Sequence, residues 1–288
     1  MKPAWHEAFE PDVLQHPANL PVLTAITPEW AWGGSTGRGV KIAVLDSGIK
    51  NSHPAVDGAV RGYCRVVEQD DGQFTYDESP HTDVFGHGTA CAGIIHKVAP
   101  EAELYSVQVL KPTGGGSGGA FAAGLHWAIE HGMQVCNLSL GTTKRDFLAP
   151  LHELADLAAF KNIMLVTAAN NMPQPSFPSM YASVLSVACN EGKDPFHFYY
   201  NPAPPMDFGA PGIDVQVAWD EHDYATMTGN SFAAPSMTGI VALILAKHPG
   251  LTPFLMKTIL RTTAWNVRRP ADTIAAEAHA GYESSRGI

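Results

Sequence analysis

The chain has 288 residues, 45% of them hydrophobic and only 16% charged, which is enough apolar material to bury a large core without disulfide, metal or partner. A formal net charge of -10 excludes a broad phosphate-binding surface, so nucleic acid is not an expected partner. No stretch reaches the roughly 18 to 20 apolar residues of a membrane span, and the start, MKPAWHEAFEPDVLQHP, lacks the apolar centre of an export signal. The expectation is a soluble, cytoplasmic protein that inserts in no membrane.

Residues 1–37 show no sustained periodicity and read as an N-terminal extension. VKIAVLDSGI (residues 40–49) is a short apolar run ending in Asp, Ser and Gly, the pattern of a buried parallel strand whose carboxyl end opens into a loop. Further strand-like runs follow in ELYSVQVL, VCNLSL, IMLVTAA and SVLSVAC, and helical patterns lie between them in GTACAGIIHKV, GAFAAGLHWAIEHG and PLHELADLAAF. This alternation predicts an α/β fold, a three-layer sandwich with a mainly parallel sheet covered on both faces. Ligands of such sheets gather at the carboxyl ends of the strands. Two helices close the pattern. SFAAPSMTGIVALILAKHP is apolar nearly all round and should run through the core. LTPFLMKTILRTTA opens on Thr252 and Pro253, an N-cap followed by a first-turn proline. One domain over residues 38–265 accounts for all of this, and residues 266–288, rich in Ala, Glu and Arg, read as a loosely held tail.

The four cysteines, Cys64, Cys91, Cys136 and Cys189, are scattered without the short paired spacings of a zinc site, so free thiols are expected and no metal or cofactor is called for. Cys136 and Cys189 sit in apolar runs and read as small buried hydrophobes. Cys91 lies four residues after His87 on one predicted helix, which puts both side chains on the same face about one turn apart.

Three positions carry the chemistry. Asp46 ends the first strand, His87 stands in GHGTACAG, and Ser231 stands in GNSFAAP at a helix start. A serine hydroxyl is a poor nucleophile at neutral pH and needs a base within hydrogen-bond reach, which in turn needs a group to fix its tautomer. Glycines on both sides of His87 let backbone crowd a site, and a helix start presents free N–H groups to Ser231.

The ordered triple VLDSGI, GHGTACAG and GNSFAAP resembles the subtilisin-like serine peptidases over roughly residues 38–265. The resemblance implies Ser231 as nucleophile, His87 as general base and Asp46 as its orienting carboxylate, acting on a peptide or protein substrate. In VTAANNM it implies Asn171 as the oxyanion donor, with Asn170 where the family carries glycine. It sets Ser139, Leu140 and Gly141 of NLSLGT on one side of the bound peptide backbone, and Gly116, Ser117 and Gly118 of GGGSGG on the other. A phosphate loop is the other use of such a glycine run, but no G-K-[ST] follows it.

Four departures from the secreted members matter. The calcium-wrapping insertion after the His helix is missing from GTACAGIIHKVAPEAELYSV, and the residues before the first strand are too few for a domain-sized propeptide. The stretch after Asn171, which walls the specificity pocket in the family, is several residues shorter. Asn230 and Ser236 stand where the family usually has Thr and His. GNSFAAP resembles peptidases that mature ribosomally made peptides, as in cyanobactin pathways. The alternatives are a general intracellular peptidase, a peptide macrocyclase, and an inactive scaffold subunit of the same fold.

Overall fold

The computed structural model describes residues 26–203, 205–219 and 223–268. Among them, nine strands form one sheet: β1 (Lys41–Asp46), β2 (Val60–Glu68), β3 (Phe74–Asp77), β4 (Glu103–Gln108), β5 (Val135–Leu138), β6 (Met164–Ala168), β7 (Leu185–Asn190), β8 (Tyr199–Tyr200) and β9 (Phe208–Pro211). Their spatial order is β3-β2-β4-β1-β5-β6-β7-β9-β8. Every neighbouring pair is parallel except at the two edges, where β3 and β8 run antiparallel. A separate hairpin joins β10 (Val215–Trp219) to β11 (Asp223–Met227).

Along β1 the side chains alternate between two apolar layers. Ile42 and Val44 belong to one core cluster, and Ala43 and Leu45 to the other. Both faces are covered, so the strand reads as one continuous apolar run. The first layer holds helices α2 (His87–Val98), α5 (Asn230–Lys247) and α6 (Pro253–Thr263), and the second holds α3 (Gly118–Glu130) and α4 (Leu148–Phe160). The three-layer α/β sandwich is therefore present as expected. Helix α5 is its axis, with every residue from Phe232 to Leu245 buried. Thr252 caps α6 by accepting from the Leu255 N–H at 3.3 Å.

Strand β1 lies between β4 and β5, the point at which the chain stops building the sheet outward on one side and begins on the other. A crevice opens at the carboxyl ends of strands where the order turns in this way. Asp46 ends β1, so the fold alone places it at the mouth of that crevice.

The ends of the domain differ from the sequence pattern. Pro28–Trp32 forms a helix, α1, whose N-cap Thr27 accepts from the Trp30 N–H at 3.1 Å. Ala31 is fully buried in the α5 layer, and the Trp30 ring stacks on His248 at 4.0 Å. A five-residue helix is too short to show periodicity, so only its Thr-Pro start signals it. At the other end, α7 (Trp265–Arg268) is docked: Asn266 exchanges two hydrogen bonds with the Tyr200 backbone. The rest of the expected extension, residues 1–25, and of the expected tail, residues 269–288, lies outside the described residues.

All four cysteines are unpaired; Cys64, Cys91 and Cys136 are buried, and Cys189 is half-buried rather than fully so. Burial pushes the Cys64 and Cys136 thiols up to about 12, which leaves them chemically quiet.

Candidate active site

The mouth of the crevice is assembled from β1, α2, the loop after β6 and the start of α5. Asp46 has no exposed surface. One of its oxygens accepts from the Ser47 N–H at 2.8 Å, and both lie 2.9 Å from His87 Nδ1. A carboxylate can only accept, so Nδ1 carries the proton and Nε2 keeps its lone pair.

His87 is the first residue of α2, and the local sequence explains why the helix starts there. Gly86 takes φ +105°, a left-handed conformation suited to glycine. A Cβ on Gly88 would lie 2.0 Å from the Gly48 carbonyl oxygen, so only glycine lets the first turn rest on the loop after β1. Asp83 supplies the cap: one oxygen accepts from the Phe85 and Gly86 N–H groups, the other from the Thr89 N–H and hydroxyl. The D-V-F-G text before His87 is thus a capping device, a role that the motif alone does not reveal.

Two opposed effects act on His87. Burial of the imidazole pushes its pKa down, but the attraction of the Asp46 carboxylate, helped by Cys91, outweighs it and holds the pKa well above the ordinary histidine value.

Ser231 is the second residue of α5. Pro235, four residues on, has no N–H, so the Ser231 carbonyl lacks its helical partner. Ser139 fills the gap, its hydroxyl donating to that carbonyl at 2.8 Å while accepting from Asn137 Nδ2 at 2.9 Å. Asn137 in turn accepts from Thr238 Oγ1, tying β5 to α5. The proline in the motif therefore frees a carbonyl by which the sheet grips the serine's backbone.

Asn171 sits in the loop after β6, and its Oδ1 accepts from the Asn230 N–H at 2.9 Å. This fixes the amide so that Nδ2 turns the other way. A Cβ built on Gly229 would meet Ser231 Oγ at 3.3 Å and Asn171 Nδ2 at 3.5 Å, which puts both groups around the same small space.

His87, Asn171 and Ser231 line one open cleft of about 380 Å³, together with Ser139, Leu140, Gly141, Gly116, Ser117 and Gly118. Asp46 stands behind His87. No hydrogen bond joins Ser231 Oγ to His87, as is common before substrate tightens a site. Two hydroxyls in the cleft walls are already engaged: Ser139 as above, and Ser117 as N-cap of α3, accepting from the Ala120 N–H at 3.0 Å. Gly118 already belongs to α3, where a Cβ would strike the Phe147 ring at 2.4 Å. What these walls offer a peptide is chiefly main chain. Beside Ser231 a recess of about 170 Å³ is bounded by 139–141, 168–171 and Ser176, and no charged side chain lines it. Next to Gly141 and Ser176, Thr142 and Phe177 exchange two backbone hydrogen bonds, which tie the two segments together.

Among the described residues the one group of three His, Cys, Asp or Glu side chains close enough to share a metal ion is Asp46, His87 and Cys91, the site itself. No helix among them is long and apolar enough to cross a membrane.

Comparison with known proteins agrees with this picture. The Subtilase family matches residues 37–284. Subtilisin Savinase of Lederbergia lenta is 34% identical over 242 residues, covering 80% of this chain and 85% of its own length. M-protease of Shouchella clausii (strain KSM-K16) is equally similar over 80% of this chain, which spans 60% of that protein's length. Subtilisin E of Bacillus subtilis (strain 168) is 33% identical over 80% of this chain and 62% of its own. A crystal structure of a cold adapted subtilisin-like serine proteinase superposes with a TM-score of 0.65 at 26% identity, covering 80% of this chain and 83% of that one. Matched by the family over 37–284 and sharing a third of its aligned residues with Savinase, the chain belongs to the subtilase family of serine peptidases.

Proposed function

We propose that this chain is a serine endopeptidase that cuts peptide bonds through an acyl-enzyme on Ser231. The observation that carries the reading is the Asp46–His87 pair. Both carboxylate oxygens hold Nδ1 at 2.9 Å, which leaves Nε2 with a free lone pair as the imidazole base of the cleft that Ser231 shares. In the forward step Nε2 takes the Ser231 hydroxyl proton as Oγ attacks the scissile carbonyl. The resulting oxyanion faces Asn171 Nδ2 and the Ser231 N–H, which in the first turn of a helix has no intrahelical partner. Imidazolium then gives its proton to the leaving amine, and water repeats the sequence on the ester. The peptide lies extended between residues 114–118 and 139–141, held mainly by backbone. A fluorophosphonate probe tests the reading: mass spectrometry should find it on Ser231, and labelling elsewhere with Ser231 untouched would overturn it.

Protonated His87 cannot take the serine proton, so activity should fall as pH drops through its pKa. That pKa is raised, so the acid limb of kcat/KM should lie above the ordinary histidine range and the enzyme should favour alkaline pH. The charged pair's stabilisation has the opposite dependence. It is complete below the unfolded histidine value and is lost as pH rises through the folded one. Asp46→Asn should move the remaining limb to lower pH, because burial then works against only the smaller upward influence of Cys91; an upward shift would sink the assignment.

Gly229→Ala gives a steric check. Gly229 has φ 167°, an extended conformation open to any residue, so the variant should fold. Its methyl would stand between Ser231 Oγ and Asn171 Nδ2 and should cut turnover about tenfold or more by misplacing the reacting groups. Unchanged kcat would show that the oxyanion lies elsewhere.

The narrower reading is cleavage of a precursor in ribosomal peptide maturation, in the cytoplasm. It is supported by the GNSFAAP motif and by four unpaired cysteines, which suit a reducing compartment. Mass spectrometry of products from a candidate precursor tests it: release of the leader at one site supports it, and indiscriminate cutting favours general proteolysis.

A further inference from the structure

We infer that Asn230, the residue before the nucleophile, is the positioning residue for the oxyanion donor Asn171. The inference rests on the reading of Asn171 given above. Asn230 is 9% exposed, and its side-chain amide is engaged at both ends. Nδ2 donates to the carbonyls of Ala169 at 3.2 Å and Asn170 at 3.0 Å, the two peptide units that lead into Asn171. Oδ1 accepts from the Cys189 N–H on β7 at 2.8 Å. The Asn230 backbone N–H donates to Asn171 Oδ1, the bond that aims Nδ2 at the nucleophile.

One residue thus fixes the donor twice. Its backbone sets the rotation of the Asn171 amide, and its side chain sets the path of the backbone that carries it. That path has two other anchors nearby, the Ala169 N–H on the Val187 carbonyl at 2.8 Å and, within the loop itself, the Met172 N–H on Asn170 Oδ1 at 2.9 Å. Beyond β6 the loop has left the sheet, and Asn170 lacks the special conformational freedom of the glycine usual there. A fixed distance between nucleophile and donor must come from the α5 side, and Asn230 is bonded neighbour to Ser231 itself.

The chemistry of the side chain matters. Two carbonyls and one N–H require two donors and one acceptor on a flat, short group, which an amide supplies. A threonine hydroxyl has one proton and can satisfy only one of the carbonyls. Leucine is close in shape and satisfies neither, which leaves two half-buried carbonyls and the Cys189 N–H without this partner. Because the oxyanion forms only in the transition state, a loosened Asn171 should be felt in kcat and not in KM.

The test is a double-mutant cycle on a chromogenic peptide substrate, with a peptide aldehyde as the inhibitor whose adduct on Ser231 carries an oxyanion. Asn230→Leu should lower kcat about tenfold, leave KM within about twofold, and weaken the aldehyde by about the same factor as kcat. Asn230→Thr should fall between Leu and wild type, since it keeps one donor. In an Asn171→Ala background either change should cost less than about twofold more, because the group it positions is gone. The same tenfold loss in that background, or an unchanged kcat in the Asn171 enzyme, would overturn the proposal. If the leucine variant does not fold, the threonine variant carries the same cycle. Fluorophosphonate labelling of the wild type separates the two layers. Failure to label Ser231 sinks the parent reading and this one with it, whereas labelling with an additive cycle sinks only the role of Asn230.

Discussion

Ser231→Ala should fold with an unchanged melting temperature and lose essentially all turnover. The stability expectation follows from what holds the residue. Ser139 grips the Ser231 carbonyl, which alanine retains, and the deleted hydroxyl supports no other group. The magnitude follows from the family: in subtilisin, loss of the serine or the histidine alone costs about 2 × 10⁶ in kcat, nearly as much as loss of the whole triad. A drop of ~10⁶ is expected here for Ser231→Ala and for His87→Ala, with the double variant no worse than either. Additive losses would mean that the two groups do not share a step. Stability separates them. His87→Ala removes the group that both Asp46 oxygens face and leaves a fully buried carboxylate with Ser47 and the weak Cys91 thiol donor as its remaining partners. That should cost about 2 kcal/mol, read as a lower melting temperature. Asn171→Ala should be milder in rate, about 100- to 1000-fold, the loss known for the corresponding donor of subtilisin.

The parts of this molecule that a sequence can reveal are those whose cause is local. Strand β1 and helix α5 are apolar on every side because both are surrounded, and such runs need no alignment to be seen. The chemistry proposed for Asp46, His87 and Ser231 shows through glycines and a proline whose backbone purposes are equally local. Other features have causes far along the chain. The β10–β11 hairpin is half-exposed and mixed in composition, and nothing within it announces a strand pair. Asn230 makes its bonds to Ala169, Asn170 and Cys189, 41 to 61 residues away, so its letters show only a departure from the usual threonine. Asp83 is intermediate, because its partners are close by, yet four hydrogen bonds converge on it only once Gly86 has turned left-handed.

The same contrast between local spacing and tertiary neighbours decides what Cys91 does. Its spacing from His87 places it one turn below the imidazole, and the fold adds two further neighbours. Sγ lies 3.9 Å from His87 Nδ1, 3.8 Å from Asp46 Oδ2 and 3.6 Å from the Ser231 carbonyl oxygen. The thiol touches all three members of the site and has no exposed surface. Burial pushes its pKa up, so alkylating reagents, which need a thiolate and room to approach, should react slowly. Mercuric ion is small and displaces the thiol proton on binding sulfur, so it should inhibit with slow onset as the site opens. Once bound, the metal has no free space at Cys91 and competes with His87 Nδ1 for Asp46. A displacement of the imidazole by an ångström or so should cost about 100-fold in kcat. Cys91→Ser keeps a small polar group in the same place, and should stay active and resist the ion. The measurement is residual turnover against time in mercuric chloride for wild type and variant, with peptide mapping of the bound metal. Continued inhibition of Cys91→Ser would move the sensitive thiol to Cys64, Cys136 or Cys189, and metal mapped to Cys91 without loss of turnover would show that the imidazole tolerates its neighbour.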